Sequence, residues 1–111
     1  IESNYGCIPP PSTAKNAFTV GATNSDDDTM TDFSSWGPVD DGRLKPDLVA
    51  PGCEAGGEEG VHSTDLGDSY GLKCGTSMAA PHVSGVAALM VEDLGRDPGA
   101  VKTAIQNSAR R

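Results

Sequence analysis

Residues 74–85 read CGTSMAAPHVSG, a serine set among small residues with a histidine five positions on. A serine hydroxyl is a weak nucleophile until a base takes its proton and donors stabilise the oxyanion that forms. The neighbours of Ser77 suit that chemistry. Gly75 lets the backbone turn sharply and Thr76 can begin a helix, which places Ser77 in a first turn whose N–H groups lack intrahelical acceptors. Those donors, at the positive end of the helix dipole, can hold the negative oxygen of a tetrahedral intermediate. The chemistry is acyl transfer. Taken alone, a Gly-Thr-Ser ahead of a helix is more often an N-cap than a nucleophile.

A nucleophile needs a base, and the chain holds two histidines, His62 and His82. The GTSMA stretch is one residue away from the G-x-S-x-G nucleophile elbow, whose triad runs serine, acid, histidine along the chain. That order fails here. The only histidine after Ser77 is His82, about one and a half turns along the same helix and displaced round its axis. An α/β-hydrolase is disfavoured.

The elements that must hold Ser77 follow from periodicity. From Thr76 the apolar residues Met78, Val83, Val86, Leu89, Met90 and Leu94 recur at helical intervals, and Gly95 is placed to stop them. Ala79, Ala80, Ser84, Gly85, Ala87 and Ala88 trim this helix so that it can lie close to another backbone; the expectation is a central, buried helix. Pro81 is expected in or near its first turn, where the missing N–H costs nothing. A second helix is predicted from Pro98 to about Ala109, capped by Asp97, with Val101 and Ile105 as its apolar stripe. Strands are predicted over 16–23 (NAFTVGAT) and 47–52 (DLVAPG), and a hairpin from VHST and SYGLKC around DLGD. Residues 1–16 and 33–47 are rich in turn formers and read as irregular, as does EAGGEEG at 54–60.

The composition narrows the partners. At 111 residues the chain is at most one small domain. Its formal charge of -8 and pI near 4.4 repel phosphate, and the eight Lys and Arg form no stripe, so nucleic-acid binding is disfavoured. No apolar run approaches the roughly 20 residues that cross a bilayer. The acidity suits a solvated extracellular surface. Three cysteines, Cys7, Cys53 and Cys74, lack zinc-ligand spacing. They fit either one bridged pair with a third partnered elsewhere, or buried thiols; Cys53 and Cys74, at strand ends in one half of the chain, are the candidate pair. The start at Ile1, with no basic apolar leader, suggests a piece of something longer.

The segment CGTSMAAPHVSGVAALM resembles, at nearly every position, the NGTSMASPHVAG-type signature around the nucleophile of subtilisin-like serine proteases. PPSTAKNAFTVGAT is similar to the AKN and TVGA strand segment of that family, FSSWGP to its FSSxGP turn, and RLKPDLVAPG to its KPDxxAPG. Order and spacing agree as well, over about residues 8–94. The resemblance implies an α/β fold with part of a parallel sheet, a central buried helix after the nucleophile, a second C-terminal helix, and residues 1–111 as the C-terminal portion of a catalytic domain.

The resemblance also implies roles. Ser77 is the nucleophile and gives its backbone N–H to the oxyanion hole, within a motif kept at Gly75, Thr76 and Pro81. Asn4, in SNYG, falls where the family's second oxyanion donor is expected and keeps N-x-G, although Glu2-Ser3 replaces Ala-Gly. His82 matches the family's structural histidine. His62 lacks the HGT context of the base, and neither DDG at 40–42 nor TDLGD at 64–68 has the D-[ST]-G setting of the acid. Base and acid are therefore expected upstream, and this chain by itself is expected to be inactive. Sedolisin-type proteases share GTS but fit SMAAPHV less well. No catalytic metal is called for; structural calcium is common in the family, but no loop here nominates a site. The expected substrate is a protein or peptide, with no nucleic acid or membrane involved, and either a companion chain with the Asp and His segments or self-association. The alternative is a noncatalytic, truncated homologue acting as a binding or assembly module through exposed edges.

Overall fold

A computed structural model describes residues 6–54 and 60–110. Asn4 and most of the 54–60 loop lie outside the described residues. Strands β1 (Val20–Asn24) and β2 (Leu48–Cys53) pair in parallel, with Val20 opposite Leu48 and Ala22 opposite Ala50. Strands β3 (Val61–Asp65) and β4 (Ser69–Lys73) form a separate antiparallel hairpin, with His62 opposite Leu72. Helices α1 (Thr76–Leu94) and α2 (Pro98–Ser108) follow. The architecture is α/β, as the sequence implied.

Local signals set the helix ends. Asp97 accepts a hydrogen bond from the Ala100 N–H at 3.2 Å, and Pro98 stands at the first position, so α2 begins where its cap predicts. At the other end of α1 the Gly95 N–H returns to the Val91 carbonyl at 2.9 Å. The core is small in every sense. Ala22, Ala50, Ala79 and Val83 are buried together, flanked by Phe18, Val20 and Leu48. Methyl groups on both sides let α1 settle close against the two strands, which is what its run of small residues requires.

Three expectations need correction. First, α1 is not buried all round: Ala79 and Val83 are its buried residues, while Leu89 is 67% and Leu94 48% exposed. Among the described residues, the two-stranded sheet and α2 are the elements that pack most closely on it, and the stripe on its far side is exposed. Secondly, Pro81 is the sixth helical residue, beyond the first turn. Its missing N–H leaves the Ser77 carbonyl without the usual donor four residues on. Thirdly, β1 starts at Val20 rather than Asn16. The Ala17 carbonyl and the Thr19 N–H are taken by side chains, Lys45 Nζ at 2.7 Å and Asp47 Oδ2 at 2.7 Å, and so do not join the ladder.

The 33–47 connection is irregular but firmly held. The Ser34 hydroxyl, fully buried, accepts the Ala22 N–H at 3.1 Å, and the Gly37 N–H reaches the Lys45 carbonyl at 2.9 Å. At its end Asp47 receives Lys45 Nζ at 2.8 Å on one oxygen and Lys102 Nζ, from α2, at 3.2 Å on the other. The Lys45 side chain is 3% and the Asp47 side chain 10% exposed. Burial acts to raise the Asp47 carboxyl, but the hydrogen bonds from Lys45, the Thr19 N–H and Lys102 together outweigh it and hold the group below the ordinary aspartate value.

A carboxyl depressed in the folded state contributes stability that is full above its unfolded value and is lost as pH falls through the folded one. The thermal unfolding midpoint of the protein should therefore fall on acidification below about pH 4. Asp47→Asn should flatten that acid limb and, by stranding a buried ammonium, cost about 3–5 kcal/mol in urea unfolding at neutral pH.

Candidate active site

The site is assembled where β2 ends and α1 begins. The Gly75 N–H donates to the Gly52 carbonyl at 2.9 Å, and a disulfide joins Cys53 to Cys74 with their Cα atoms 4.6 Å apart. This is the pair nominated from the sequence; Cys7 takes no part in it. The approach leaves no room at Gly52, where a Cβ would lie 2.6 Å from the Ala22 Cβ and 2.8 Å from the Gly75 carbonyl oxygen. Gly75 itself has φ 155°, a conformation that residues with side chains rarely adopt. The two glycines thus set the height and direction at which α1 leaves the sheet.

Ser77 is the second residue of α1 and is exposed. No side chain caps this helix end, so the ordinary use of Gly-Thr-Ser as an N-cap does not apply. Among the described residues, nothing hydrogen-bonds the Ser77 hydroxyl, and no carbonyl accepts its N–H. The Met78 N–H turns back to the Gly75 carbonyl at 3.0 Å. Among the described residues, the helix start thus offers a hydroxyl and a backbone donor with no partner.

The hairpin faces this helix end across a cleft of about 460 Å³, lined among others by His62, Asp65, Lys73, Ser77, Met78 and His82. The structure thus brings Ser77 and both histidines to one cleft, yet no hydrogen bond joins either histidine to the serine. His82 donates from Nδ1 to the Met78 carbonyl at 2.8 Å, one helical turn back. His62 leans on Tyr70, ring centroids 5.7 Å apart. The Asp65 carboxyl is lowered by the Leu66 N–H and then by Lys73, whose Nζ lies 3.1 Å away. Asp41, in the DDG stretch, is lowered by its bond to Arg43 at 2.8 Å and is not part of the cleft lining. Among the described residues no three His, Cys, Asp or Glu side chains are grouped as metal ligands.

Sequence reasoning missed Gly52, reading APG only as the stop of a strand, and it gave no role to the hairpin. The signal for Gly52 is its pairing with Gly75 across the 53–74 span, visible only once the two cysteines are joined.

Known proteins resemble this chain in sequence and fold. The model of the subtilase family matches residues 5–111, beyond the C-terminal limit of the motifs read from the sequence. The serine protease AprX of Bacillus subtilis is 36% identical over 90% of this chain and 26% of its own length. The minor extracellular protease Vpr of the same organism is 36% identical over 86% of this chain and 12% of its own. The CspB protease of Clostridium perfringens superposes with a TM-score of 0.82 at 35% identity, over 96% of this chain and 24% of that one. The chain therefore spans about a quarter or less of these relatives.

The contact at Gly52 carries a direct consequence for the site. Gly52→Ala must push α1 away from β2 or displace Ala22, and should lower the urea unfolding free energy by about 1–3 kcal/mol. Gly42→Ala offers the comparison: a Cβ there meets nothing within 4 Å, although φ is 85°, so its cost is backbone strain without a steric clash.

Proposed function

Because the chain belongs to the subtilase family, we propose that residues 1–111 are the nucleophile-bearing portion of a subtilisin-type serine endopeptidase domain, with Ser77 as the nucleophile. The observation that carries this reading is the uncapped start of α1, where Ser77 lines the cleft and, among the described residues, neither its hydroxyl nor its N–H has a hydrogen-bond partner. The hydroxyl attacks the scissile carbonyl as a base removes its proton, and the oxyanion is held by the Ser77 N–H and the positive end of α1. The amine then leaves, and water hydrolyses the acyl-serine. Serine, imidazole, carboxylate and oxyanion donors suffice for these steps, so no cofactor is invoked. Asn4 is the proposed second oxyanion donor.

The base and acid are assigned to another segment of the intact protein. His82 is tied to its own helix backbone, His62 to the hairpin, and Asp65 to Lys73 and the Leu66 N–H. The open apolar residues Val49, Val86, Leu89 and Leu94 support further protein against α1 and β2, either a companion segment or a second copy. The substrate is a protein or peptide. A secreted location is supported by the name of one relative, the minor extracellular protease Vpr, and no described helix is long and apolar enough to cross a membrane.

In the intact protein, Ser77→Ala should abolish fluorophosphonate labelling and lower kcat on peptide substrates by about a million-fold, the size known for subtilisin rather than one worked out for this chain. His62→Ala should leave kcat within about ten-fold. Labelling that persists in Ser77→Ala, or an intact protein that never labels, would instead favour a noncatalytic binding module.

A further inference from the structure

Among the described residues, the hairpin has few ties to the rest of the molecule, whereas the start of α1 is seated on β1 and β2 through Ala79. β3 and β4 share no ladder with β1 and β2 and are largely exposed, and a two-stranded hairpin is marginal by itself in water. Both ends of the excursion meet at one place. Cys53 closes β2, Cys74 follows β4, and their bond, at a sequence separation of 21, encloses the entire hairpin. Three residues after Cys74 comes Ser77. Beside that bond, the Gly75 to Gly52 hydrogen bond is the neighbouring tie at this junction.

We infer that Cys53 and Cys74 are positioning residues for Ser77, and that acylation at Ser77 depends on the oxidised state of their bond. The inference rests on Ser77 being the nucleophile. Oxidised, the bridge reinforces the level that Gly52 and Gly75 set for the start of α1 and holds the hairpin wall against it. Reduced, the hairpin loses its covalent tie at the junction, and the Ser77 hydroxyl loses its alignment with the base supplied by the rest of the intact protein. Displacements of about 1 Å cost up to about a hundred-fold in rate.

The two sulfurs are unequal, which sets the route of reduction. Cys74 is exposed whereas Cys53 is 7% exposed. A small dithiol reductant therefore attacks Cys74 Sγ. Its thiolate forms a mixed disulfide there while the Cys53–Cys74 bond breaks, and the electron pair leaves on Cys53 Sγ, which takes up a proton. The second thiol of the reductant closes its own disulfide and frees Cys74. One dithiol is oxidised and one protein disulfide becomes two thiols.

The test uses the intact protein carrying Cys7→Ser, so that within residues 1–111 the bridge is the group that responds, with the redox state of Cys53 and Cys74 read by mass after thiol alkylation. Fluorophosphonate labelling at Ser77 and peptide turnover are followed as dithiothreitol is raised, with circular dichroism recorded in parallel. The expected result is a fall in labelling rate and kcat of ten-fold or more, with KM changed less than three-fold, the helical signal kept, and activity regained on reoxidation. Cys53→Ala with Cys74→Ala should show the low rate at the outset and no further response to reductant. A monothiol reductant that lacks a resolving thiol should leave its adduct on Cys74, read by mass. Labelling that proceeds at an unchanged rate with the bridge shown reduced overturns the inference while leaving Ser77 as nucleophile. Loss of helical signal on reduction, in step with activity, overturns it in favour of a purely structural bond. Absence of labelling in the oxidised protein instead removes the reading of Ser77 itself.

Discussion

The distance between the end of β2 and the first residues of α1 is the constraint from which the site follows. A strand and a helix meet here with backbone against backbone, Gly75 donating to Gly52, and there is no space between them for a single Cβ. Such an approach is possible only because Ala22 and Ala79 present methyl groups where larger side chains would hold the elements apart. The helix then starts at a fixed level relative to the sheet. Its first turn, Ser77 included, is left pointing at the cleft instead of being consumed by a cap.

A second anchorage works at the opposite end of the strands. Asp47 stands just before β2 and draws ammonium groups from Lys45, two residues away, and Lys102, which lies on α2. Lys102 Nζ also sits 5.5 Å from the centre of the Phe18 ring and 3.2 Å from the Ala17 carbonyl. One carboxylate thereby gathers the entry to β1, the entry to β2 and the last helix. The ordering is local and electrostatic at this end, covalent and steric at the other, with the alanine-lined contact between them.

Much of this was readable from the chain. Asp97, Pro98 and Gly95 specify helix ends by chemistry that acts within a few residues, and the hairpin announces itself through its turn. The GTS motif, proposed to carry the nucleophile, is equally local. What was misread depends on distant partners. The start of β1 is decided by Lys45 and Asp47, some 28 residues away. The solvent exposure of Leu89 and Leu94 is decided by what stands beside α1, about which their helical spacing carries no information. Gly52 looked like punctuation because its neighbours in space, Ala22 and Gly75, are not its neighbours in sequence.

The separateness of the hairpin has a consequence for how such a protein can vary. Its outer turn, Leu66 to Asp68, belongs to no other ladder, and Leu66 is 91% exposed. Insertions or exchanges there would remodel one wall of the cleft while β1, β2 and α1 keep their register, because the span is closed at its base. Lineages descended from such a chain would be free to explore new surfaces around an unchanged serine, with the constraint of ancestry concentrated at the junction and the latitude concentrated at the tip.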